Sequence, residues 1–242
     1  MYSFKMQVAA QIVQIETIYS YSRAACRRFL TEGEAAFAIR ISEENIAREK
    51  QLYAAVHGDA APDDRIEFIA VHRKLSEELI AYDTFTLHGA AVSLDGRAYV
   101  FCGRSGVGKS THILKWVDHI PRTVVVNGDK PFVWVGGKDV MICGSPWAGK
   151  EGMTENTAAP LRAAVFLERA EKNRIQKISL SEAFPFLYQQ VYLPEDRYRM
   201  RKTLQMLKSL DGRVSFYRFF INNMEDDCFQ AAYDALVKGN AP

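Results

Sequence analysis

Tyr99-Val100-Phe101-Cys102-Gly103-Arg104-Ser105-Gly106-Val107-Gly108-Lys109-Ser110-Thr111 decides the reading of this chain: an apolar, strand-like run passes into a glycine-rich turn and then a helix-like segment. Gly103, Gly108, Lys109 and Ser110 complete the pattern G-x-x-x-x-G-K-[ST], and Ile113-Leu114-Lys115-Trp116 supplies the helix that must follow it. Gly103, Gly106 and Gly108 can adopt backbone angles closed to other residues, so consecutive N–H groups can turn inward around a polyphosphate. The helix adds its positive end. In this reading Arg104, Ser105 and Val107 complete the cradle, Lys109 reaches the β- and γ-phosphates, and Ser110 ligates magnesium, with Thr111 as a second candidate. The competing reading is a glycine turn with a surface lysine.

Working outward, the chain of 242 residues suffices for one large domain or two small ones. Hydrophobic residues make up 48% and charged residues 25%, the balance of a globular protein with a full core. Net charge is +2 and no basic tract exceeds a pair, which argues against a nucleic-acid footprint. The four cysteines, Cys26, Cys102, Cys143 and Cys228, lie far apart in apolar segments and read as buried thiols of a reducing compartment. No apolar run approaches the roughly 20 residues of a membrane span, and the first residues do not read as a signal peptide. A cytoplasmic protein without membrane contact is expected.

Upstream, Val8 to Ile15 and Ala36 to Ile41 alternate as strands do. Ser42, with Asn45 three positions on, opens a helix toward Val56, and the polar stretch His57 to Asp64 is a candidate subdomain boundary. A second helix carries Ile66, Ile69, Leu75, Leu79 and Ile80 inward and keeps Arg73, Lys74, Glu77 and Glu78 wet. Phe85 to Leu94 and Arg97 to Phe101 then read as two strands joined by Asp95-Gly96, a hairpin signal. Downstream, strands are expected at 123–127, 131–135, 140–143, 163–167 and 214–220, and helices at 181–188, 194–210 and 225–237. The fold class is therefore α/β with a mixed sheet. A strand that enters the loop from a hairpin argues against the usual parallel arrangement of nucleotide-binding folds. Neither an N-K-x-D nor an L-S-G-G-Q segment occurs.

The order Leu87-His88-Gly89, the Asp-Gly turn, the loop from Gly103 to Ser110 and Val126-Asn127-Gly128-Asp129 resembles the kinase core of HPr kinase/phosphorylase. That family shares its nucleotide site with ATP-dependent phosphoenolpyruvate carboxykinase. Gly144 to Gly152 and Ala164 to Arg169 are similar to segments of small bacterial HPr kinase-like proteins. The resemblance covers residues 83–242, leaving 1–82 as a separate β/α region.

The resemblance implies that Asp129 holds magnesium opposite Ser110, although Asp129-Lys130-Pro131 also reads as an ordinary turn. It implies that His88 helps move the acceptor's proton, against the reading of a buried structural histidine. The family carries two consecutive aspartates where this chain has Gly128 and Asp129, and the first is regarded as the base. Proton removal here falls to Asp129, to His88 or to another group. Replacing Gly128 with Asp is expected to raise the rate, provided the glycine is not needed for its backbone angle. Lys150, in a glycine-flanked turn, is a candidate cation for the γ-phosphate or the acceptor, with a plain surface lysine as the competing reading. Arg162 is a weaker candidate, His112 reads as a packing residue, and Glu168-Arg169 as a structural pair.

The function expected is transfer of the γ-phosphoryl group of ATP, with Mg2+, to a hydroxyl of a small protein, peptide or metabolite. Binding without turnover, in a regulatory or scaffold protein, is the alternative. A carboxykinase is disfavoured by the short chain. The sequence leaves open whether the protein self-associates.

Overall fold

The computed structural model describes residues 1–58, 61–222, 225 and 228–239. The chain begins with β1 (Tyr2–Val8), β2 (Gln11–Thr17), α1 (Tyr21–Ala25), β3 (Phe37–Arg40), α2 (Glu43–His57) and α3 (Asp63–Leu79). The alternating run from Val8 to Ile15 is not one strand, because the chain reverses at Ala9-Ala10 between β1 and β2. β2 pairs antiparallel with β1 and parallel with β3. Ser42 and Asn45 form a reciprocal capping box at the start of α2, and Gly58 ends that helix at φ +74°. Asp59 and Ala60 of the polar break lie outside the described residues; its flanking helices α2 and α3 pack in one core.

α3 buries Ile66, Leu75 and Leu79 as its apolar spacing requires. Arg73 departs from the wet face expected for it: its guanidinium makes a forked pair with the buried Glu49 of α2, at 2.6 and 2.8 Å. The division near residue 82 falls in a short turn, Ile80–Tyr82, before β4 (Thr84–Thr86). The core beneath β1–β3, α2 and α3 also takes in Phe132, Cys143 and Trp147 from the later part of the chain.

The later part contains β5 (Gly89–Leu94), β6 (Arg97–Cys102), α4 (Lys109–His119), β7 (Val124–Asn127), β8 (Phe132–Trp134) and β9 (Met141–Cys143). It continues with β10 (Ala158–Arg169), β11 (Arg174–Ile178), α5 (Leu180–Gln190), α6 (Arg197–Lys208), β12 (Ser215–Ile221) and α7 (Cys228–Tyr233), with a π-helical turn over Asp234–Lys238. Residues 226 and 227 of the expected last helix lie outside the described residues. The mixed sheet anticipated from sequence is present: β6 is antiparallel to β5 and parallel to β10, and β10 is parallel to β12. β11 and β7 form its edges, while β4, β8 and β9 form an antiparallel extension joined through β10.

Asp95 and Gly96 both have positive φ, 49° and 72°, the backbone of a two-residue turn whose twist matches the β5–β6 hairpin. Tyr99 and Phe101 of β6 face α4, and Val100 and Cys102 face the opposite layer under α5 and α6, so the strand is buried on both sides. The run from Phe85 to Leu94 is two strands rather than one. Its backbone leaves the ladder at Leu87-His88, where His88 N–H donates to Gln190 O at 2.7 Å and Gly89 N–H to Asp129 O at 2.8 Å. All four cysteines are buried and unbridged. No helix among the described residues is long and apolar enough to cross a membrane.

Candidate functional site

β6 ends at Cys102, and the loop from Gly103 to Gly108 delivers the chain to α4 at Lys109. Gly103 has φ +148°, and a side chain there would come within 3.0 Å of Leu167 O on β10. Only a glycine lets the loop cross that strand end so closely. Gly106 and Gly108 have φ +77° and +106°, so all three glycines hold positive angles. Val107 is buried beneath the loop, while Arg104, Ser105 and Gly106 are exposed and Ser110 is half-buried at the first turn of α4. Thr111 faces outward.

Lys109 is buried, and its ammonium donates to Gly103 O at 2.9 Å. Burial lowers its pKa, against the opposing pull of Asp129 and Cys102. Arg169, at the end of β10, donates to Gly106 O and ties the loop down from outside. The sequence pairing of Glu168 with Arg169 does not hold. Glu168 is instead gripped by Arg218 of β12, at 2.8 and 3.0 Å, because side chains adjacent along a strand point to opposite faces.

Asp129 lies on the β7–β8 connection, where the buried Asn127 fixes it. Asn127 Oδ1 accepts from the N–H groups of Asp129 and Lys130, at 2.9 and 2.7 Å, while its amide donates to Ser145 and Thr154. Asp129 Oδ1 is 3.3 Å from His88 Nε2. Burial works against ionising Asp129, yet the His88 hydrogen bond and the charges of Lys130, His88 and Lys109 hold it below the usual carboxylate value. The structure thus brings His88, Asp129 and Lys109 into one electrostatic neighbourhood.

Lys150 is exposed on the turn beyond Gly149. Among the described residues no hydrogen bond or ion pair ties it to Asp129 or to the loop; the lysines whose charges act on Asp129 are Lys130 and Lys109. Arg162 pairs with Asp139 at 3.3 Å. His112 is wholly buried among aromatic rings, as a packing residue should be.

Gly128 sits where a side chain would come within 2.9 Å of Ala148 O, and its N–H donates to Met153 O at 2.8 Å. The obstacle to an aspartate there is space rather than backbone angle, since the 144–154 segment closes over it. A cleft of about 730 Å³ runs beside the loop, bounded by Phe186, Gln189, Gln190 and Arg169. A second, of about 430 Å³, shares Gln189 and Gln190 with it and reaches His88 and Asp129. Sequence reasoning missed Lys130, Arg169, Gln189 and Gln190. Arg169 comes to the loop only because β10 pairs parallel with β6, a neighbourhood between distant segments.

No protein-family model and no curated protein matches the chain in sequence. Among solved structures, it is similar to the HPr(Ser) kinase/phosphatase from Coxiella burnetii at 14% identity, covering 64% of this chain and 99% of that one, with a TM-score of 0.38. That likeness bears on neither site nor reaction.

Proposed function

We propose that this chain is an ATP-dependent, magnesium-requiring kinase of the HPr kinase-like class that transfers the γ-phosphoryl group to a hydroxyl. One observation carries the reading: a buried lysine sits in a strand-to-helix loop whose three glycines all hold positive φ, the backbone a phosphate cradle needs, and its charge acts on an aspartate from a separate connection. The loop N–H groups and the start of α4 would hold the phosphates, with Lys109 countering their charge. Ser110 and Asp129 offer the hard oxygen donors that magnesium prefers, and an aspartate below its ordinary pKa stays anionic for that role. Magnesium there would neutralise charge on the transferring group.

An aspartate held so acidic is a poor base. With His88 Nε2 turned toward Asp129 Oδ1 at 3.3 Å, Nδ1 is the ring nitrogen free to face an acceptor. His88 Nδ1 would therefore take the hydroxyl proton as the acceptor oxygen bonds to the γ-phosphorus. The bond to the bridging oxygen breaks and ADP leaves with its electron pair. Positioning and charge neutralisation supply most of the rate in such loose transition states.

The test is calorimetric titration of ATP together with ADP release. Lys109→Ala should stay folded and bind ATP at least about 10-fold more weakly, the loss of a charge-assisted contact of roughly 1.5–3 kcal/mol. Unchanged ATP affinity would remove the loop from the site. The packing over Gly128 favours a second reading, a nucleotide-binding regulator without turnover, because it excludes a second carboxylate. ATP binding with no ADP release on any peptide or metabolite hydroxyl would decide for it.

A further inference from the structure

Asp129 and Lys130 face two clefts. One is the cleft that contains His88; the other, of about 420 Å³, lies between the β7–β8 connection and the amino-terminal region. Clefts of this size suit small molecules. The second cleft is lined by Tyr21, Arg27 and Arg28 from α1 and the turn after it, by Phe68 of α3, and by Trp147. Gln189 and Gln190 line both the loop cleft and the His88 cleft, so the three clefts lie side by side between Gly103 and Arg27.

The walls of the outer cleft are fixed. Trp147 Nε1 donates to Phe68 O at 3.0 Å, and the two rings stack at 5.0 Å. Arg28 donates to Thr154 O at 2.6 Å and pairs with Glu155, so its charge is partly used in holding the 144–154 segment. Arg27 is exposed and makes no ion pair among the described residues. Three cations, Arg27, Arg28 and Lys130, meet a single lining carboxylate, Asp129. A site with an excess of positive charge over an aromatic wall selects an anion with a carbon skeleton.

From this we infer that the outer cleft is the acceptor site. Its occupant is a small hydroxyl compound carrying a carboxylate or a phosphate, anchored by Arg27 with its hydroxyl toward Asp129 and His88. The inference rests on the kinase reading for the fate of the hydroxyl, whereas anion binding at Arg27 stands independently. It also gives the amino-terminal region, unassigned by sequence, a role as one wall of the site.

The experiment is calorimetric titration with glycerate, glycerol 3-phosphate and glycerol of the full chain, of Arg27→Gln and of Lys109→Ala, with ATP titrated in parallel. One or both anions should bind and glycerol should not. Arg27→Gln should weaken the anion at least tenfold with ATP affinity intact, and Lys109→Ala should leave the anion bound. The preferred anion distinguishes carboxylate from phosphate acceptors. Anion binding lost in Lys109→Ala but kept in Arg27→Gln would place the anion in the loop and overturn the assignment. So would no anion binding to any form. Anion binding at Arg27 without ATP binding would sink the kinase reading, and with it the acceptor role, and leave an anion site in the outer cleft.

Discussion

His88 Nε2 lies 3.3 Å from Asp129 Oδ1, so an imidazole on the β4–β5 connection and a carboxylate on the β7–β8 connection act as one unit. Gly89 N–H bonding to Asp129 O at 2.8 Å clamps the same two connections through the backbone. With its pKa held below the ordinary carboxylate value, Asp129 remains ionised well into acid. His88→Gln is expected to lower the rate of ADP release about 100-fold, because it removes the group placed to take the hydroxyl proton. An unchanged rate in His88→Gln would take His88 out of proton transfer.

Gly128→Asp is expected not to raise the rate, in contrast to the gain anticipated from sequence. The new Cβ would meet Ala148 O at 2.9 Å, and a backbone oxygen cannot rotate away. Gly128→Ala isolates the steric part and should cost about 1–3 kcal/mol of stability, the range of an overpacked interior. Denaturant midpoints check it. A Gly128→Ala protein as stable as the parent, with a faster Gly128→Asp enzyme, would show that the 144–154 segment yields.

Arg169→Gln removes the guanidinium that donates to Gly106 O. Because Arg169 is exposed, the expected effect on stability is small. Its effect should instead appear in the loop, as ATP affinity lower by about threefold and faster amide exchange over 104–108. Equal exchange in both proteins would leave Arg169 a surface residue.

The hairpin and the loop were legible because both are set by local rules: positive φ at Asp95 and Gly96, and glycines wherever the loop turns or meets β10. The break at Leu87-His88 was not. The polar-apolar alternation of Thr84 to His88 runs on through it, and the polar Thr84 and Thr86 are buried as fully as Phe85 and Leu87, so nothing in the pattern marks where one strand ends. Asp129 was reached through a motif, but its coupling to Lys109 and His88 depends on contacts between distant segments. Arg27, Arg169 and Gln190 carry no periodic or spacing signal; the fold alone brings them to the clefts.

Trp116 Nε1 donates to His112 Nε2 at 3.1 Å, which leaves the ring's own proton on Nδ1 with no partner among the described residues. Burial pushes the pKa of His112 down to about 3. An unfolded imidazole protonates near about 6.5, so at acidic pH the unfolded chain binds the extra proton and the folded chain does not. The stabilising contribution of neutral His112 is therefore present above about 6.5 and is lost as pH falls, at about 1.4 kcal/mol per unit. By pH 5 this group alone costs ~2 kcal/mol. His112→Gln retains an acceptor for Trp116 but does not titrate. It should be less stable than the parent at neutral pH and lose less between pH 6.5 and 5, read from urea midpoints at each pH. Parallel pH profiles for the two proteins would show that His112 is protonated alike in the folded and unfolded chains.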